Sequence, residues 1–357
     1  MDIIIGIATF ILGFVAEKIL DKCTILLGRK ISKKRKEGKL VCFLNEPHED
    51  VLITASSFPF YKPDSVVVTL NREMVFRLAP PGGAKAVDFS KKNQAPEVFC
   101  NFIKNNDLQE KLEETKLAVY ESFQQRTNGN HFNGKILGVN HLDGFSRTTD
   151  SKESPLLSIV FFETDYYTHK VIEKLISEWQ REWDPLNSTY SWTRTSFGVS
   201  VILILPKQNE IILTRRAATS AYTAGKSWIY VSVTETVSET DYNEEKGNPD
   251  LVKCVYRGVN EELGITEWQL KTDTLHFYDA FYETHFHQDN VVASIEISED
   301  LTFSDIYHLL AKDKFLETTD LITIDNDKRA ITDYIKNHRN EMRSQTIFSL
   351  ESFAARK

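Results

Sequence analysis

Arg257-Gly258-Val259-Asn260-Glu261-Glu262-Leu263-Gly264-Ile265 is the stretch whose reading decides the fold. The segment Asp250 to Leu263 has the apolar spacing of an amphipathic helix, and Gly264 follows as a left-handed C-cap. Arg257 stands four residues before Glu261, so the two share a helix face and can pair. Glu261 and Glu262 are adjacent carboxylates in the last turn, where two oxygen donors can hold Mg²⁺ or Mn²⁺. Gly258 brings no side chain to that face and weakens the helix by ~1 kcal/mol.

The flanking segments alternate strand and helix. Phe197 to Leu205 and Glu210 to Arg215 read as a hairpin, Ser227 to Val233 as a further strand, and His276 to Tyr282 and Asn290 to Ile297 as two more. Helices are expected over Phe303 to Lys312 and Asp327 to Phe348. Upstream, strands are expected over 40–44, 51–55, 65–70, 73–78, 135–139 and 156–163. Helices are expected over 96–125 and 168–183. The fold class that follows is α/β (α+β), with an N-terminal transmembrane helix, an α+β middle region and a C-terminal α/β/α sandwich. The expected domains are 1–28 as the anchor, 29–39 as a basic linker, 40–190 as an α+β region, and 191–345 as the sandwich.

The chain has 357 residues, enough for two domains, and 41% of them are hydrophobic, enough for a sizeable core. Its net charge of −8 excludes global attraction to a nucleic acid polymer. The four cysteines have neither metal nor redox spacing, so no disulfide framework is expected and buried thiols are.

At the N-terminus, Ile3 to Ala16 is apolar apart from Thr9. At ~1.5 Å per residue it reaches only ~21 Å of a ~30 Å hydrocarbon core. The run continues past Glu17, Lys18, Asp21 and Lys22, which fall on one helical stripe, to Leu27. A spanning helix over Ile3 to Leu27 is therefore expected, with Lys18 and Lys22 snorkelling. The basic cluster Arg29 to Lys39 places the N-terminus outside and the rest of the chain in the cytoplasm. Gly6 and Gly13 share a face, which favours helix association in the lipid bilayer and a homo-oligomer.

The spacing around Arg257, Glu261, Glu262 and Gly264 resembles the second half of a Nudix box, with Gly258 where that family has a helical Glu. The first half is irregular: a charged insertion, Ser238 to Pro249, interrupts it, and Glu235 and Asp250 are the candidates to replace the missing acid. The resemblance implies that Glu261, Glu262 and Glu235 hold Mg²⁺. It also implies that Arg215, Arg216, Lys226 and Arg257 meet the ligand's phosphates. Tyr222, Trp228 and Tyr230 are candidates to stack on a base. His285, His287 and Asp289 form a second candidate metal set, and Glu296 is a further possible ligand.

Together with the expected anchor, the chain is similar to the membrane-anchored Nudix effectors of CBASS antiphage systems. That resemblance implies a single-pass protein of the bacterial inner membrane that senses a cyclic nucleotide second messenger and disrupts the membrane on oligomerising. The alternative is a tethered Mg²⁺-dependent Nudix hydrolase of a nucleoside-diphosphate-linked compound, with Glu262 and Glu261 as its catalytic carboxylates.

Overall fold

The computed structural model describes residues 38, 40 and 42–357, apart from 83–87, 127–132, 146–154, 180–183, 217–226 and 315–317. Residues 48–354 form one compact unit, and residues 1–47 with 355–357 form another.

Within the larger unit, a mixed sheet is built on β5 (Phe197–Leu205), which is buried along its whole length. A nearly unbroken apolar sequence suits a strand covered on both faces. β5 runs parallel to β12 (Gln288–Ile297) and antiparallel to β6 (Glu210–Arg216) and β8 (Val233–Thr236). β12 pairs with β11 (Leu270–Glu283), which pairs with β1 (Val51–Ala55). On the other side, β7 (Ile229–Val231) and β13 (Thr318–Asp325) both pair with β6. Among the described residues this sheet has eight strands.

Helix α4 (Leu251–Leu263) covers one face. Leu251, Cys254, Val255 and Val259 pack in one core with Val199 and Val201 of β5. Helix α7 (Ser344–Ala354) covers the other. Its Gln345 Nε2 donates to Ser200 Oγ at 3.0 Å, and Ser200 points away from its neighbours Val199 and Val201. The observed layering is helix, sheet, helix.

A second sheet contains β2 (Val66–Phe76), β4 (Leu156–Asp165) and β3 (Lys135–Phe145) in that order. β4 alternates between two cores. Leu157, Ile159 and Phe161 join the core of the large sheet. Phe162 packs instead with α1 (Glu97–Asn105), α2 (Gln109–Arg126) and α3 (Tyr166–Trp179).

Several expectations are corrected. Residues 42–45 are helical rather than a strand. The strands expected over 65–70 and 73–78 are one strand, β2, whose register against β4 shifts between Leu70 and Val75. The helix expected over 303–312 is the shorter α5 (Phe303–His308), and the helix expected over 327–348 divides into α6 (Lys328–His338) and α7. The transmembrane helix, and with it the single-pass inner-membrane placement, is also corrected: among the described residues no helix is long and apolar enough to cross a membrane. On sequence alone, the uncharged run from Ile3 to Ala16 is already shorter than a hydrocarbon core. The anchor residues themselves, with Gly6, Gly13, Glu17 and Lys18, lie outside the described residues.

Candidate functional site

Helix α4 is fixed at both ends. The Asp250 side chain caps its start by accepting from Val252 N at 2.9 Å, so Asp250 serves the helix terminus. Gly264 ends it at φ 76°, and a Cβ there would lie 2.4 Å from the Leu310 carbonyl oxygen. Both the left-handed backbone and the close approach require glycine.

Gly258 has a packing reason. A Cβ at this position would lie 2.7 Å from Glu235 Cβ and 3.0 Å from both Glu235 Cγ and Val233 Cγ1. Helix α4 and strand β8 touch here, and the stem of Glu235 fills the space that a side chain at 258 would need. The carboxylate of Glu235 thereby reaches Arg257, at 2.9 Å from Nη1.

Arg257 is the centre of the site. It binds Asp241 through Nε and Nη2, both at 2.8 Å, in the two-pronged geometry that guanidinium favours. Nη1 also donates to Glu261 at 3.1 Å, and Nη2 to the Thr236 carbonyl at 2.9 Å. Burial works against the Arg257 charge, yet Asp241 and Glu235 hold its pKa above the ordinary value. Burial, joined by Glu261 and Asp241, pushes the Glu235 carboxyl up to about 7 against the pull of Arg257. Burial also pushes the Cys254 thiol up. Cys254 is the buried thiol among the described cysteines, whereas Cys42 and Cys100 are exposed.

Glu262 turns elsewhere. It is buried against Arg216, whose Nη2 lies 3.2 and 3.3 Å from its two oxygens, and it accepts from Thr234 N at 3.3 Å. Glu261 is shared between Arg257 and Lys312 Nζ, the latter at 3.0 Å. The three carboxylates foreseen as Mg²⁺ ligands are therefore each engaged by a cation. Glu235 and Glu261 converge on one guanidinium nitrogen, and Glu262 faces another guanidinium. Among the described residues, no group of three or more His, Cys, Asp or Glu is placed to hold a metal ion. The donor set does not fit a three-carboxylate cradle.

Arg215 and Arg216 are neighbours on β6 and diverge. Arg216 reaches Glu262, while Arg215 donates to Glu341 at 3.0 Å. Lys226 and Tyr222 lie outside the described residues. Tyr230 is buried, with the Arg216 guanidinium 4.7 Å and the Arg343 guanidinium 5.6 Å from its ring centroid. Its ring is occupied by cations within the fold. Trp228 is half-buried. His285 is exposed, whereas His287 is buried beside Tyr282, whose hydroxyl lies 3.2 Å from Nδ1. Asp289 binds Arg194 at 2.5 and 2.9 Å, so His285, His287 and Asp289 do not converge. Glu296 pairs with Lys271 at 3.5 Å.

Asp241 is the site residue that the sequence reading missed. Its signal is Ser238-Glu239-Thr240-Asp241, a capping box in which Ser238 N donates to Asp241 Oδ2 at 2.9 Å.

The segment 238–249 that carries Asp241, with its strand pair β9 (Tyr242–Asn243) and β10 (Asn248–Pro249), also walls a groove of about 960 Å³. The opposite wall comes from the second sheet, through Leu70 and Arg72 of β2, Arg77 just beyond its end, and Lys135 and Ile136 of β3. Lys253 of α4 closes one side. Compared with known proteins, the sequence matches no family model and no curated relative.

Proposed function

We propose that the chain is a nucleotide-recognition module of Nudix-like architecture that binds a cyclic (oligo)nucleotide without rapid hydrolysis. The observation that carries this reading is the fate of the box carboxylates. At Gly258 the stem of Glu235 fills the space a family carboxylate would take. Glu235, Glu261 and Glu262 are bound by Arg257, Lys312 and Arg216. Carboxylates tied to fixed guanidinium groups hold a helix against a sheet and keep a binding scaffold rigid. They are poor donors for an ion that must clamp a pyrophosphate and activate water. The helix–sheet–helix layering and the Arg257…Gly264 spacing support the Nudix-like part of the reading; the sequence resemblance supports the ligand class.

Full-length protein is incubated with a panel of cyclic dinucleotides and trinucleotides in the presence of Mg²⁺, and bound and consumed nucleotide are measured separately. Saturable binding with the nucleotide recovered intact is the expected result. Steady Mg²⁺-dependent turnover, lost in Glu262→Gln, would overturn the reading in favour of a hydrolase of a nucleoside-diphosphate-linked compound.

A further inference from the structure

We infer that the ligand-binding site is the groove between the second sheet and the insertion at 238–249, and that its Arg72–Lys253 end takes a phosphate group. This inference rests on the preceding reading for the kind of ligand, but not for the place or for the phosphate chemistry.

The groove, at about 960 Å³, has the size of a small-molecule site. Its floor is apolar, with Leu70, Ile136 and Leu137, and suits the face of a base. Its cations divide into two kinds. Arg77 is neutralised by Glu163 at 2.9 Å and Lys135 by Glu239 at 2.7 Å. Arg72 and Lys253 have only neutral partners among the described residues. Arg72 Nη2 donates to the Tyr242 hydroxyl and to the Gly247 carbonyl, the latter at 3.1 Å. Lys253 Nζ donates to the Tyr242 carbonyl at 3.0 Å. Two unit charges are thus gathered at the Tyr242–Gly247 turn with no carboxylate bound to either. An incoming phosphate replaces a neutral acceptor with an anion at either cation.

Arg77 adds a second sign of an unfilled polar place. Its Nε is buried without a hydrogen-bond partner while its Nη2 holds Glu163. A buried donor left unmet is costly, and groups of this kind are met by water or ligand. The opposing charges in the groove are Glu244 and Glu245, exposed on the turn. Their charge opposes an anion on the turn itself, so a bound phosphate is favoured at Arg72 and Lys253 over the turn.

The same insertion ties the groove to the box. Tyr242 touches Arg72, and its neighbour Asp241 binds Arg257 on α4. Displacing Arg72 from Tyr242 therefore acts on the chain one residue from the Arg257 clamp.

The test is calorimetric titration of full-length protein with the cyclic nucleotide panel, and in parallel with inorganic pyrophosphate and tripolyphosphate. The same titrations are made on the Arg72→Gln/Lys253→Gln double variant and on Glu244→Gln/Glu245→Gln. All four side chains are exposed, so both variants keep the wild-type circular dichroism and melting temperature. The inference expects the cation variant to weaken phosphate-ligand binding by about tenfold or more, and the carboxylate variant to strengthen it. Nucleotide binding that is unchanged in the cation variant overturns the groove and leaves the nucleotide reading standing. Binding of the inorganic polyphosphates alone, weakened in the cation variant, keeps the groove and overturns the nucleotide. No binding by any of these ligands overturns both.

Discussion

The space that a side chain at Gly258 would need is filled by the stem of Glu235, which gives the glycine a packing reason. In an ordinary helix interior, replacing glycine by alanine stabilises by up to ~1 kcal/mol. Here the added Cβ would meet Glu235 Cβ at 2.7 Å, and that atom belongs to the root of a side chain on a paired strand. Gly258→Ala is therefore expected to destabilise by about 1–3 kcal/mol, the usual cost of overpacking. Denaturant unfolding reads the sign, and a stabilised variant would show that α4 and β8 do not touch as described. Glu235 adds a pH dependence. Its folded pKa of about 7 lies above the ordinary 4.5, so the folded state favours the protonated carboxyl. The corresponding stability is fully present below pH 4.5 and is lost as pH rises through 7. Glu235→Gln, neutral at every pH, should gain on the wild type by on the order of 2–3 kcal/mol between pH 5 and pH 8. A difference in melting temperature that stays flat across that range would contradict a carboxyl titrating near neutrality.

At the scale of elements, what the sequence made legible follows local chemistry. Helix α4 has a capping Asp250, a buried stripe and a positive-φ Gly264, all short-range signals that agree with one another. β5 is a long apolar run, and its place at the centre of the sheet follows from that. Strand β13 escaped notice because it is an edge strand with mixed burial, so its Thr-Thr-Asp-Leu-Ile-Thr-Ile-Asp sequence carries little periodicity. Asn71 and Arg72, left between two expected strands, lie inside the continuous strand β2 where its register against β4 shifts, and Arg72 lines the groove. The same limit applies to the candidate site. The Arg257–Glu261 pair was legible because it is local to one helix. The Arg257–Asp241, Arg216–Glu262 and Arg194–Asp289 pairs bring together distant segments, and nothing in local spacing announces them. Arg215 and Arg216 looked alike in sequence, but alternation along β6 sends them to different partners.

At the scale of the molecule, the region before 190 and the sandwich after it are structurally interdependent within residues 48–354. β1 supplies a strand to the large sheet by pairing with β11, from Val51 opposite Glu283 to Ala55 opposite Ala280. Leu157, Ile159 and Phe161 of the second sheet pack in the core that contains Phe197, Val199 and Val201. Phe161 and Phe197 meet with ring centroids 5.1 Å apart. Leu137 N and Val139 N of β3 donate to the carbonyls of Val237 and Arg194, at 3.2 and 2.7 Å. A cut at 190 would expose this apolar face and free an inner strand edge, and both promote association. Residues 191–345 expressed alone are therefore expected to aggregate or to bind a hydrophobic dye. The full chain should lose the aromatic signals of Trp192 and Phe161 neighbourhoods together in one thermal transition, because the two cores share strand β4. Near-ultraviolet circular dichroism followed beside far-ultraviolet ellipticity makes the comparison. A soluble, cooperatively folded 191–345 fragment, or two separated transitions within 48–354, would show instead that the sandwich stands alone and that the second sheet is an accessory to it.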